Sequence, residues 1–298
     1  RAQADAFHQV LVRACYAANA QVEPLREGQL HIAIAGAGAT GVELAAELHH
    51  SLHTLVEFGL QRLNPERDIR IHLIEGSPRI LPGLAPRIAE STQAVLESIG
   101  VVVHTGEFVT EATASGFHTR SGKFIPAEIK VWAAGIKGPD VLGRLDLEVN
   151  RINQLIVRNT LQTTRDDDIY AFGDCAACRQ REDSDAMVPP RAQAAHQQAT
   201  MLAKAIIARV KGENTTPSYR YQDFGSLINL SRHSTVGNLM GNLGRRSGSL
   251  AIEGWFARMA YLSLYKMHQI AVQGVIRTMM MTMANVLTRR AKPRLKLH

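Results

Sequence analysis

The run LHIAIA at residues 30–35 is short, apolar and rich in small and β-branched side chains, and it passes straight into GAGATGVELAAEL. A parallel strand buried on both faces reads this way. A strand that ends at Gly36 and is followed by Gly38 and Gly41 at the head of a helix leaves few folds open. Gly36 permits the tight turn out of the strand, Gly38 lets a pyrophosphate approach the backbone, and Gly41 lets the helix pack closely on the strand. The helix N-terminus adds unsatisfied N–H groups and a partial positive charge, worth about 0.3–1 kcal/mol toward an anion at an exposed site. The expected fold class is α/β with a Rossmann-like unit, and the expected ligand is a dinucleotide.

The rest of the chain is read from that unit outward. The first 22 residues have helical apolar spacing and read as one amphipathic helix. After the glycine turn, VELAAELHHSLHTLVEFGLQRL lacks proline and predicts a helix from Gly41 to about Leu63. Residues 69–74 predict a second buried strand ending at Glu75. A carboxylate there would accept hydrogen bonds from both ribose hydroxyls and repel a 2′-phosphate, which points to NADH over NADPH. The long stretch between Gly41 and Glu75 is attributed to the helix. A loop at residues 82–86, a helix towards Ile99 and a strand at VVVH follow. Hairpins turn at Ser115-Gly116 and Ser121-Gly122, and a short strand at residues 131–133 ends at Gly135. Further on, IYAFGD predicts a buried strand that delivers Gly173 and Asp174 to a turn, where a carboxylate suits a polyol hydroxyl. A helix is expected over residues 191–210, then strands at GSLINLS and STVGNLMG, and one helix from about Trp255 to Leu287.

With 298 residues, 45% of them hydrophobic and 20% charged, the chain has material for two domains. It opens on Arg1 without a signal-peptide pattern and is read as beginning mid-protein. Three cysteines cannot build a disulfide framework, which suits a reducing compartment. Cys175 and Cys178 form a CxxC at an expected helix start, where a redox dithiol is one reading; their place directly after Asp174 favours packing thiols. No metal site is expected, because zinc would need two further ligands. The net charge of +7 owes much to Arg289, Arg290, Lys292, Arg294 and Lys296. No segment reaches the roughly 18 apolar residues of a spanning helix. On a helical wheel Arg258, Lys266, Gln269, Gln273 and Arg277 share one side of the last helix, opposite a broad apolar face. Such a helix suits an anionic lipid surface through residues 255–298. The competing occupants of that face are the protein's own core and a second copy of the chain in a homodimer. No nucleic-acid partner is expected, since no aromatic-interleaved basic motif occurs.

From about His8 to His298 the chain resembles the type II NADH dehydrogenases, single-chain NADH:quinone oxidoreductases. The motifs that carry the resemblance are GAGATGVELAAEL, LIEGSPRILP, WAAGIK, IYAFGDCA, VPPRAQAAHQQA and KPRLKLH, in the same order. The resemblance implies a flavoprotein with two dinucleotide-binding domains: a Rossmann-like NADH domain, a partial FAD domain, and a C-terminal α+β membrane-associated region. The implied boundaries are 1–27 for a helix and connection of the FAD domain, 28–145 for the NADH domain, 146–218 for the second half of the FAD domain, and 219–298 for the C-terminal region. FAD and NADH are the implied cofactors. Gly36, Gly38, Gly41, Glu75, Ala134 and Gly135 would bind NADH, and Gly173 and Asp174 the flavin. Glu43 would position the nicotinamide, while Gln193 and His196 would lie by the flavin and quinone. The implied reaction passes a hydride from NADH to flavin and two electrons to a membrane quinone without proton pumping, at the cytoplasmic face of the bacterial inner membrane as a peripheral protein. The family's N-terminal FAD glycine motif has no counterpart here, so the chain is expected to bind flavin poorly and to be inactive alone. The alternatives are a disulfide or ferredoxin reductase, against which AQAAHQ and the basic amphipathic end argue, and a non-catalytic NAD(H)-binding module.

Overall fold

The computed structural model describes residues 2–57, 59–213, 217–230, 234–239 and 250–288. They form two compact units. One holds the described residues up to Ala134 with the strands and helices that follow Gly225; the other holds the described residues from Gly135 to Phe224.

The first unit begins with α1 (Ala2–Ala20), which buries Leu11, Cys15 and Ala18 at helical spacing. Its centre is a parallel sheet made of β1 (His31–Ala35), β2 (Arg70–Glu75) and β3 (Val101–Thr105), linked by α2 (Ala39–Glu57), the one-turn α3 (Pro65–Asp68) and α4 (Pro86–Ser98). An antiparallel sheet of β4 (Val109–Ala112), β5 (Gly116–Thr119) and β6 (Phe124–Pro126) follows, turning where the serine–glycine pairs lie. The chain then returns through β7 (Ile129–Trp132) to the other side of β1, so the strand order is β3-β2-β1-β7. Ile32 and Ile34 face a core that includes Val42, Ala45 and Leu52 of α2 and Leu96 of α4. Ala33 and Ala35 face the opposite way and pack with Phe117 and Ile125 of the antiparallel sheet. Burial on both faces explains why the strand has no polar alternation.

Between those two sheets lies a row of histidines. His72 Nδ1 is 3.1 Å from His104 Nε2, whose Nδ1 is 3.0 Å from Lys123 Nζ, and the His31 ring sits 5.4 Å from that of His72. Burial, reinforced by the neighbouring His104, His31, Arg70 and Lys123 charges, pushes the His72 imidazole down to about 4.

The helix after the glycine turn is shorter than expected, ending at Glu57 and not near Leu63. Gly59, a residue that costs about 1 kcal/mol in a helix interior, follows closely. Leu60 and Leu63 stay buried, which preserves the apolar spacing without the helix. Asn64 then caps α3, its Oδ1 accepting the N–H groups of Glu66 and Arg67. The distance in sequence from Gly41 to Glu75 therefore comes from a helix plus this capped turn.

The second unit has little regular sheet. β8 (Leu155–Ile156) pairs in parallel with β9 (Ala176–Ala177), and α5 (Ala192–Val210) covers a core of Leu155, Val157, Leu161, Ala171, Cys178, Leu202 and Tyr219. The strand expected at IYAFGD is only an isolated bridge between Gln162 and Tyr170, and Ile169 and Phe172 are exposed. With no continuous neighbour its backbone cannot form a ladder.

The remaining elements belong to the first unit. β10 (Gly225–Leu230), β11 (Ser234–Leu239) and β12 (Leu250–Glu253) form an antiparallel sheet in that order, with Ile228 and Leu230 buried in the same core as β1 and α2. The last two residues of STVGNLMG lie outside the described residues. The single C-terminal helix expected from the sequence is two: α6 (Gly254–Gln273) and α7 (Val275–Thr288). Gly274, at φ +79°, takes the left-handed conformation that ends a helix. Lys266 and Gln269 stay neighbours, joined by a 2.9 Å hydrogen bond, but Arg277 falls on the far side of the break. The Arg258 side chain and the basic tail at 289–298, with its KPRLKLH ending, lie outside the described residues. Among those residues, no helix is long and apolar enough to cross a membrane.

Candidate functional site

The strand order reverses between β1 and β7, and the glycine turn lies at that switch point, beyond the carboxyl end of β1. Ligands of open parallel sheets bind in this crevice. Three features shape it. Gly36 is at φ +104°, its N–H donates to Ile74 O at 2.7 Å, and a Cβ there would lie 2.6 Å from Ala134 N. Ala134 thus contributes backbone that closes against the turn. A Cβ at Gly41 would collide with Gly36 O, so the helix can sit this close to the strand only as glycine. Gly38 faces open space, with no heavy atom within 4 Å of a built Cβ, which leaves room for a phosphate. The first helical bond runs from Val42 N–H to Gly38 O, so the amides just before Val42 have no intrahelical acceptor.

Glu75 closes this turn from the next strand. Its Oε2 accepts the Ala37 N–H at 2.9 Å and its Oε1 accepts the Ser77 N–H at 2.8 Å. The carboxylate is thereby fixed in orientation, and each oxygen keeps a further lone pair for a ribose hydroxyl. Leu81 N–H donates to Ala37 O, tying the segment after β2 to the same turn. Glu43 lies on the second turn of α2, half-buried. The sequence located the glycines and Glu75, but not the amides of Ala37 and Ser77 that hold the carboxylate; backbone donors have no residue signature.

In the second unit, Gly173, Asp174 and Cys175 form a single 3-10 turn, so the helix start expected at the CxxC is absent. The Gly173 N–H donates to Gln198 Oε1 at 2.8 Å, and Gln154 Nε2 donates to the Asp174 carbonyl at 2.8 Å. Gln198 is 1% exposed, whereas the Asp174 side chain is open to solvent. Neither glutamine was singled out in the sequence, although Gln198 lies inside AQAAHQQA. A Cβ at Gly173 would touch Ala195, so α5 packs directly under this turn. Gly135 opens the unit at φ +79°. Gln193, on the first turn of α5, donates to Tyr221 Oη and Asp223 Oδ1 and accepts the Phe224 N–H. Its amide braces the helix against residues 221–224. His196 is exposed one turn further along. The structure thus groups Gly36, Gly38, Gly41, Glu43, Glu75 and Ala134 in one unit and Gly135, Gly173, Asp174, Gln193 and His196 in the other. Cys178 is buried and burial pushes its thiol up to about 11, while the Cys175 thiol donates to Phe172 O. A protonated, buried thiol packs and does not react.

A switch-point glycine turn with a fixed acidic partner defines a dinucleotide-binding α/β protein. Residues 3–199 match the pyridine nucleotide-disulphide oxidoreductase family, and the chain belongs to it. It is 42% identical over 273 residues to the type II NADH:quinone oxidoreductase of Haemophilus influenzae, spanning 91% of this chain and 60% of that protein. It is 27% identical to the type II NADH:quinone oxidoreductase Ndh of Mycobacterium tuberculosis, over 87% of this chain and 55% of the relative. The chain therefore spans little more than half the length of these relatives. Among solved structures, NDH2 from Plasmodium falciparum in complex with NADH superposes with a TM-score of 0.74 at 18% identity, covering 96% of this chain and 71% of that one. A ferredoxin reductase from Rhodopseudomonas palustris superposes at 0.53 over 70% of this chain and 47% of the other. These likenesses confirm the fold.

Proposed function

We propose that this chain is the NADH-binding part, with a portion of the FAD-binding part, of an NADH:quinone oxidoreductase. The carrying observation is the Glu75 carboxylate, held by two backbone amides across the open glycine turn. A 2′-phosphate brought there would meet a negative charge with no freedom to swing away, so NADH is preferred to NADPH. The residues fit the group: Gly38 leaves space for the pyrophosphate, and the amides at the start of α2 would donate to its oxygens. Glu43, half-buried on the second turn of α2, would position the nicotinamide. Asp174, presented by the 3-10 turn, would hold the ribityl hydroxyls of FAD, and His196, exposed on α5, would serve the flavin and quinone. Gln193 acts there by bracing α5. When bound, the flavin supplies the chemistry of accepting a hydride and passing two electrons on to quinone.

The same reading extends to the surface. Helices α6 and α7 expose Met259, Leu262, Val272, Ile276, Met279 and Leu287. With the basic residues after Thr288 in sequence, these suit an anionic lipid surface at the cytoplasmic face, where the protein docks peripherally to reach its quinone. The C-terminal α+β region is the membrane-associating one in this assignment.

The test is NADH oxidation by the protein as it occurs in the cell, with a short-chain quinone as acceptor. Quinone reduction at a rate with NADH about tenfold or more above that with NADPH is expected, from a charge repulsion of at least about 1.4 kcal/mol. Preference for NADPH, or reduction of a disulfide or ferredoxin in place of quinone, overturns the assignment.

A further inference from the structure

We propose that Phe108, backed by Arg120, is the platform on which the adenine ring of the dinucleotide stacks. The inference rests on the dinucleotide reading of the glycine turn and assigns the other end of the same ligand. Phe108 follows β3, at the carboxyl edge of the parallel sheet where Glu75 also ends its strand. Half of its surface is open, at 51% exposure. The Arg120 guanidinium lies 4.4 Å from the ring centroid.

Backbone hydrogen bonds tie the segment that carries this ring to the end of the strand that carries Glu75. Glu107 N–H donates to Glu75 O and Gly106 N–H to Ser77 O, each at 2.9 Å, and Arg120 N–H donates to Phe108 O at 2.8 Å. The ring edge rests on Gly76, where a Cβ would come within 3.1 Å of Phe108 Cδ2. An aromatic face beside a carboxylate that accepts ribose hydroxyls matches a nucleoside: the sugar bonds to Glu75 while the attached base covers the phenyl ring. The guanidinium on the ring adds a cation to the same stack, a partner every base face accepts. The antiparallel sheet therefore does more than cover the parallel one. Its β3–β4 connection and the Arg120 turn supply half of the adenosine site.

The experiment compares three ligands on wild type and Phe108→Ala: NADH, ADP-ribose, and reduced nicotinamide mononucleotide, titrated by fluorescence and calorimetry. Phe108→Ala weakens NADH and ADP-ribose roughly tenfold, the cost of one lost base–aromatic stack, and leaves the mononucleotide unchanged. Phe108→Tyr restores both, and Arg120→Ala costs roughly two- to fivefold. Unchanged ADP-ribose affinity in Phe108→Ala overturns the platform while leaving the NADH site standing, as does an equal loss for both halves of the ligand. If wild type binds neither NADH nor ADP-ribose, the dinucleotide reading itself fails and takes the platform with it.

Discussion

Two turns in this protein set a positive-φ glycine beside an acidic residue, and they are built by different means. At Gly36 (φ +104°) the turn is the end of a strand buried on both faces, and the acid, Glu75, is clamped by the Ala37 and Ser77 amides. At Gly173 (φ +72°) the turn follows a partly exposed segment with only an isolated bridge, and two glutamine side chains hold it, with the Asp174 side chain exposed to solvent. The first site inherits its geometry from the sheet. The second is set by side chains, and side chains are cheaper to remove.

Gly41→Val should produce the largest effect, because any Cβ at that position drives α2 away from Gly36 O. A cost of about 3 kcal/mol corresponds to roughly a hundredfold loss of NADH affinity. Titration with NADH checks the loss, and hydrogen exchange around Gly173 should stay unchanged; a matching loosening there would show that the two turns are not built independently.

Acid should act next, and on the first unit. The unfolded chain takes up a proton near pH 6.5 that folded His72 refuses until about 4. Stability is therefore full above about pH 6.5 and falls as the pH drops to 4, by at most about 3 kcal/mol from this one residue. Burial lowers His31 and His104 as well, which adds to the same trend. Urea melts between pH 7 and 4 measure it, and a flat profile would remove the histidine row from the account.

Glu75→Gln removes the charge and one of the two charge-assisted acceptors, worth about 2 kcal/mol. NADH binding weakens and the gap to NADPH narrows; an unaltered ratio of the two affinities would break the link between the clamp and cofactor choice. The smallest effect is expected from Gln198→Ala, which leaves the Gly173 N–H without its acceptor at a cost of about 1 kcal/mol. Faster amide exchange at Gly173 with unaltered NADH affinity would sharpen the contrast between a sheet-built and a side-chain-built turn.

Much of this was legible beforehand. LHIAIA, the glycine spacing and the strand ending at Glu75 read correctly because burial on two faces and a close helix approach demand those residue types at those positions. The antiparallel turns at Ser115-Gly116 and Ser121-Gly122 were equally plain. Apolar spacing misled at residues 59–63, where Leu60 and Leu63 reach the core from a turn, and at Gly274, where one glycine divides a continuous periodic pattern. The IYAFGD segment has strand composition but no continuous ladder partner among the described residues.

Periodicity and glycine placement are local constraints, so the order of the residues alone was enough for the parallel strands, the glycine turn and the strand that ends at Glu75. Folding decided which atoms hold that acid, that Gln198 and Gln154 carry the second turn, and that Phe108 and Arg120 come to stand beside Glu75. Those pairings join groups far apart in sequence, Ala37 and Glu75 by 38 positions. Tertiary folding brings such partners together, through the parallel sheet in the first unit and through the packing of α5 under the Gly173 turn in the second.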